Sequence, residues 1–323
     1  MNEPAIVSVL IPCRDLGEYL DEAVDTVFAQ TRGFEVLVVD DGSIEPGTRR
    51  LLDGYRWPKV RVLRQERRGS AAAKNLALGE ARGRFCCALD PRHGLDRLYF
   101  EQAIDTLERE PDLSFVTARG RFFGELEVEP GWRGLDLPVV LASGFLHGST
   151  VLRTESVRAS GGYDASLPDG LEDRDLLIRL LAAGQKGRLI DATLVFQRGE
   201  SAREAGPGKE RFGLQAPLIA KHAGLYQSLL TEILLAREEE TDTVVRSTTT
   251  LSSVPSQLRS EAATGALLSG EALRRIESLE EALARAHRDL DAYRRSFSWR
   301  VAGPLRVVHR AWRRLAGRLR LDR

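Results

Sequence analysis

In its first half the chain alternates short runs of β-branched and aliphatic residues with stretches of helical periodicity, and this limits its fold more than any other feature. Ile6–Ile11 (IVSVLI) reads as a buried strand, followed by a helix patterned on Leu20, Val24, Val27 and Phe28. Glu35–Val39 (EVLVV) is a second strand, Thr48–Tyr55 a helix and Val60–Leu63 a third strand. Ser70 is expected to cap a helix that runs through Asn75 to Ala81 and is ended by Gly83. Arg84–Leu89 (RFCCAL), the helix Leu98–Arg109 and the strand-like Leu113–Ala118 continue the pattern. Such alternation predicts an α/β fold, a mostly parallel sheet flanked by helices. Beyond Phe122 the pattern is irregular until a helix at Glu172–Ala183 and a strand at Leu189–Phe196, which complete a domain over residues 1–213.

With 42% of its residues hydrophobic and 29% charged, the chain can bury a core, which excludes disordered and collagen-like classes. Cys13, Cys86 and Cys87 form neither a disulfide framework nor a CxxC metal pattern and read as reduced core thiols of a cytosolic protein. The opening Met-Asn-Glu-Pro lacks the basic and apolar parts of a signal peptide, and no apolar stretch is long enough to span a bilayer.

The remainder differs in kind. Residues 214–240 read as a helical extension, and 241–262 as a Ser/Thr-rich linker. In 263–299, Ala272, Ile276, Leu279, Leu283, Ala286, Leu290, Tyr293 and Phe297 recur at alternating spacings of four and three, a coiled-coil seam. That seam implies either a homodimer through 272–297 or a lone helix packed on the domain. The tail, 300–323, is a basic amphipathic helix with Trp312 on its apolar edge. From Arg294 to the end there are ten Arg and one Asp, so a neutral chain divides into +9 there and −9 elsewhere. A segment of this form fits an anionic membrane surface, and predicts a cytoplasmic protein peripherally attached to the membrane. No basic body suggests nucleic acid.

In open α/β sheets, ligands sit at the carboxyl ends of the strands. The first strand runs into Pro12-Cys13-Arg14-Asp15, the second into Asp40-Asp41-Gly42-Ser43 and the fourth into Asp90-Pro91-Arg92. One such carboxylate is commonly a turn former, but three at one sheet edge gather acceptors for a base, a ribose or a hydrated cation. The turn after the first strand has no GxGxxG and the chain has no GxxxxGK[ST], so dinucleotide-dehydrogenase and P-loop readings fail.

The motifs VSVLIPCRDLGEYLDEAV, VLVVDDGS, RGSAAAKNLAL, CCALDPRHGL, GSTVLRTESVRASGGYD and GLEDRDLLIRLLAAG stand in one order over roughly residues 6 to 200. Together they resemble the inverting family-2 glycosyltransferases of GT-A fold, and SFSWRVAGPLR looks like a tail of bacterial members acting near membranes. The resemblance implies a nucleotide-sugar donor and a glycan or lipid-linked acceptor of the cell envelope. It places Pro12 and Asp15 in the nucleotide pocket, Asp41 on the base with Ser43 beside it, and Lys74 and Asn75 facing the nucleotide. Asp90 matches the first Asp of the family's DxD, near ribose and metal, and Asp173 matches the catalytic base. At the start of a helix, Asp173 is favoured in its ionised form.

One departure stands out: the second acidic position of the DxD is Arg92. The resemblance implies Mg²⁺ or Mn²⁺ bridging the donor diphosphate, and arginine cannot ligate a cation. Three outcomes follow: an altered metal site using Asp90 with His93 or His147, Arg92 as counter-charge in place of the metal, or lost catalysis. The last would leave a membrane-associated dimeric scaffold. Lys74 for Arg and Asp15 for Asn are milder departures. Trp57 and Trp132 read as packing residues, and His222 and His287 as solvated on helical faces.

Overall fold

The computed structural model describes residues 6–124, 134–142, 148–199 and 208–236. The linker, the coiled-coil and tail segments, Trp132 and His147 lie outside them. The chain begins with β1 (Val7–Cys13), α1 (Gly17–Phe28), β2 (Phe34–Asp41), α2 (Pro46–Gly54), β3 (Val60–Gln65) and α3 (Ser70–Glu80). It continues with β4 (Phe85–Ala88), β5 (His93–Leu95), α4 (Tyr99–Arg109), β6 (Leu113–Gly124) and α5 (Leu137–Ala142). Then come β7 (Val151–Arg153), α6 (Thr154–Ala159), α7 (Glu172–Ala182), β8 (Lys186–Gly199), α8 (Gly208–Lys221) and α9 (Ala223–Ser228). The sheet order is β3-β2-β1-β4-β7-β6-β8-β5.

β3, β2, β1 and β4 are parallel, as the βαβ alternation requires, and β6 runs parallel to β8. The antiparallel pairs β4–β7, β6–β7 and β5–β8 had no counterpart in the sequence reading. Every residue of β2 is buried, because helices cover both faces. On one face Val7, Val9, Ile11 and Cys13 of β1 pack with Leu20, Val24 and Val27 of α1 and with Phe100, Ile104 and Leu107 of α4. On the other, the small side chains Ala71, Ala73 and Ala77 let α3 lie close on β1 and β2. The three cysteines are buried and free, as expected. Among the described residues no helix is long and apolar enough to cross a membrane.

Three local expectations need correction. Ser70 does not cap α3: its backbone N–H donates to Asp169 Oδ1 at 2.9 Å and its hydroxyl to Glu172 at 2.7 Å, so the cap comes from a distant loop. Gly83 does not end that helix, which stops at Glu80; it is glycine because a Cβ there would stand 2.6 Å from the Ser8 backbone nitrogen. The expected continuous helix beyond residue 214 turns at His222, and that ring is not solvated. It is 9% exposed, with Nε2 2.8 Å from the buried Asp175 carboxylate. Lys221 and Arg179 join it at 2.7 and 2.8 Å, drawing Leu214–Tyr226 into one compact unit with the sheet. Residues 227–236 fall in a second unit, where Ile233 donates a helical hydrogen bond to Leu229.

Candidate active site

The carboxyl ends of β1 and β2 are tied together by their own acids. Asp15 adopts a left-handed backbone (φ 55°), and its Oδ1 accepts the N–H groups of Ile44 and Glu45, both at 2.7 Å. Its own N–H donates to the Ser43 hydroxyl at 3.2 Å, and Ser43 N–H donates to Asp40 at 2.9 Å. Asp41 is 4% exposed and accepts Gln65 and the Arg68 N–H at 2.7 Å and the Gly69 N–H at 2.9 Å. It therefore fixes the loop that leads into α3. Gly42 is required twice over: φ is +68°, and a Cβ would meet the Arg67 nitrogen at 2.8 Å. Pro12 lies within β1, opposite Val39 of β2.

A second group joins α3 to α7. Lys74 is 5% exposed, and its ammonium donates to Glu172 at 2.8 Å and to Asp173 at 2.6 Å. Burial opposes that charge, but the two carboxylates outweigh it and hold the lysine protonated. Burial also raises the Glu172 carboxyl, yet Lys74 and the Ser70 hydroxyl bring it below its ordinary value. Asp173 goes the other way: burial raises it against the pull of Lys74, and repulsion from Glu172 adds to the rise. Asp173 keeps 18% of its side chain exposed against 2% for Glu172 and 6% for Lys74, so it is the member that meets solvent. Gly148 makes room for it, since a Cβ there would lie 2.5 Å from Asp173 Oδ2.

Asn75, next to Lys74, does not reach into open space. Its amide donates to the Tyr163 carbonyl at 2.7 Å and its Oδ1 accepts the Tyr163 N–H at 2.8 Å. The Tyr163 ring in turn lies 5.3 Å under the Lys74 ammonium.

The third group is the turn between β4 and β5. Asp90 Oδ1 accepts the Arg92 N–H at 2.9 Å and Nε at 3.0 Å, while Oδ2 accepts Nη2 at 3.0 Å. Burial raises the Asp90 carboxyl, but Arg92 and the neighbouring His93 bring it to about 2. Burial holds His93 at about 4, hence neutral at physiological pH. This set does not fit a divalent cation. Both Asp90 oxygens face a guanidinium, and the described residues hold no group of three or more His, Cys, Asp or Glu able to bind one.

The three groups share one neighbourhood. Cys13, raised to about 12 by burial, also feels the charges of Asp40, Asp90 and Asp15, and Asp173 feels Asp90. The structure thus brings the strand-end acids and the α7 pair together. Glu172, Asp169, Gly148 and Tyr163, each of which fixes a site residue, were not singled out from sequence. Only Glu172, beside Asp173, carried a signal there.

The fold is of GT-A type, a mostly parallel sheet flanked by helices. A family model described as glycosyl transferase family 2 matches residues 8–151. It is 34% identical over 109 residues to the glycosyltransferase GlyG of Streptococcus pneumoniae, spanning 32% of this chain and 35% of that protein. It is 36% identical over 120 residues to TuaG of Bacillus subtilis, a glycosyltransferase named for teichuronic acid biosynthesis, spanning 36% of this chain and 47% of that one. The chain thus matches less than half the length of these two relatives. Among solved structures, S. aureus TarS in complex with UDP-GlcNAc shares the fold, with a TM-score of 0.52 and 17% identity over 60% of this chain and 59% of that one.

Proposed function

We propose that the chain transfers a sugar from a nucleotide-sugar to an acceptor hydroxyl with inversion, Asp173 acting as general base. The observation that carries this reading is the Asp173 carboxylate itself: partly exposed, raised in basicity by burial, and held in place by Lys74. The acceptor oxygen attacks the anomeric carbon as its proton passes to Asp173. The bond from that carbon to the donor's phosphate oxygen breaks, and its electron pair leaves with the nucleoside diphosphate. Lys74, locked by Glu172, orients the base.

The UDP-GlcNAc bound to TarS supports a UDP-sugar donor, and the name of TuaG supports an acceptor in a cell-envelope glycan. Pro12, Asp15, Asp41 and Ser43 shape the nucleotide side, with Asp90 and Arg92 toward the diphosphate. The basic tail docks the enzyme on the inner face of an anionic membrane, and residues 272–297 pair two chains.

The reading is tested by measuring release of nucleoside diphosphate from a panel of nucleotide-sugars, with wild type and Asp173→Asn. Turnover lost in the variant supports it. Failure to bind any donor, with Asp173→Asn indistinguishable from wild type, leaves the non-catalytic scaffold instead. For the tail, sedimentation with anionic liposomes should depend on residues 300–323 and weaken as salt rises. Equal binding to neutral vesicles contradicts that part.

A further inference from the structure

We propose that Arg92 does the work of a divalent cation, holding the donor's diphosphate beside Asp90 so that nucleotide binding needs neither Mg²⁺ nor Mn²⁺. This rests on the nucleotide-sugar reading above and concerns the charge at its leaving group.

The geometry points there in three ways. Arg92 meets Asp90 through its backbone N–H, Nε and Nη2, at 2.9, 3.0 and 3.0 Å, so the positive charge lies on the carboxylate face that a cation would need. The turn is fixed at both ends: β4 precedes it in the sheet, β5 follows it, and the Arg92 carbonyl accepts the Arg198 N–H at 3.2 Å. The guanidinium is therefore a positioned charge, not a surface arginine that falls near the site by chance. Lys74 is committed to two acids at 2.8 and 2.6 Å.

The pair is also reachable. The Arg92 side chain is 26% exposed and that of Asp90 32%, so the guanidinium faces water and a partly solvated ion pair is cheap to rearrange. A planar guanidinium can take two phosphate oxygens in parallel, and it keeps its charge at any working pH. When the donor's sugar–phosphate bond breaks, the electron pair stays on the phosphate oxygen, and Arg92 offsets the charge gathering there.

The test is calorimetric titration of the full chain with UDP, GDP, CDP and dTDP, in EDTA and in excess Mg²⁺ or Mn²⁺. Binding of one diphosphate with the same affinity in EDTA and in metal supports the inference. Binding only with metal overturns it and leaves the transferase reading intact, whereas no binding under either condition overturns both. Two variants separate charge from folding. Arg92→Met should weaken the diphosphate roughly tenfold or more while binding of the matching nucleoside stays unchanged. Arg92→Asp should lose the diphosphate in EDTA and regain it with Mn²⁺. An Arg92→Met protein that holds the diphosphate like wild type sinks the idea.

Discussion

The Lys74 ammonium stands 2.6 Å from the Asp173 carboxylate, joining residues 99 positions apart in the chain. Glu172 stands on the other side of the lysine at 2.8 Å, so one ammonium holds both acids. Everything proposed for the base depends on that contact.

Lys74→Met would leave two adjacent carboxylates near the core without their cation, a change that typically costs about 3–5 kcal/mol. The pH dependence has a definite sign. In the wild type Glu172 lies below its ordinary 4.5, so its stabilisation is present above 4.5 and is lost as pH falls through the lowered value. In the variant both carboxyls rise, and protonation favours the folded state. Urea unfolding should therefore show the variant's deficit shrinking from neutral pH into mild acid. A deficit that stays constant would contradict the pairing.

Asp173→Asn should lower kcat by about 10²–10⁴-fold with donor affinity retained. In the wild type the acid limb of kcat/KM should fall above 3.8, because burial raises this carboxyl and activity disappears as the base takes up its proton. Lys74→Arg, which keeps the charge, should leave a limb, whereas Asp173→Asn should abolish it. A limb at or below 3.8 argues for another base.

Gly148→Ala places a Cβ 2.5 Å from Asp173 Oδ2, so the carboxylate must leave its place against Lys74. The expected result is a fall in kcat with little change in donor KM, because the nucleotide side is untouched. Wild-type kcat in this variant would show that the position of Asp173 does not matter.

Asn75→Ala tests a different point. Its two hydrogen bonds to the Tyr163 backbone, at 2.7 and 2.8 Å, predict a loss of about 2 kcal/mol. Gly162, with φ +75°, is shaped to the same clamp, since a Cβ there would meet Asn75 Oδ1 at 2.5 Å. If Asn75→Ala weakens nucleotide binding while unfolding at the wild-type urea concentration, the residue serves the ligand and not the fold.

The parallel half of the sheet was legible because β1, β2 and β4 are nearly unbroken apolar runs, each followed by a helix or turn signal. The antiparallel half was not: β5 and β7 have three residues each, too short for any periodicity to show. At the site, the strand-end acids were readable from position alone. The Lys74–Glu172–Asp173 contact was not, because its members lie 98 and 99 positions apart and meet only in the folded chain. His222 misled for the same reason. Its neighbours in sequence are polar and small, and nothing local reveals that a buried Asp175 waits opposite.

β4 and β5 are separated by four residues in the chain yet stand at the fourth and last places of the eight-strand order. The turn carrying Asp90 and Arg92 is thus anchored in two different parts of one sheet, and its backbone has little freedom to respond to a change at position 92. In such a frame, the metal independence proposed above rests on one side chain. A lineage can gain or shed it by substitution at that position, and an engineer can do the same, without rebuilding the loop that presents it.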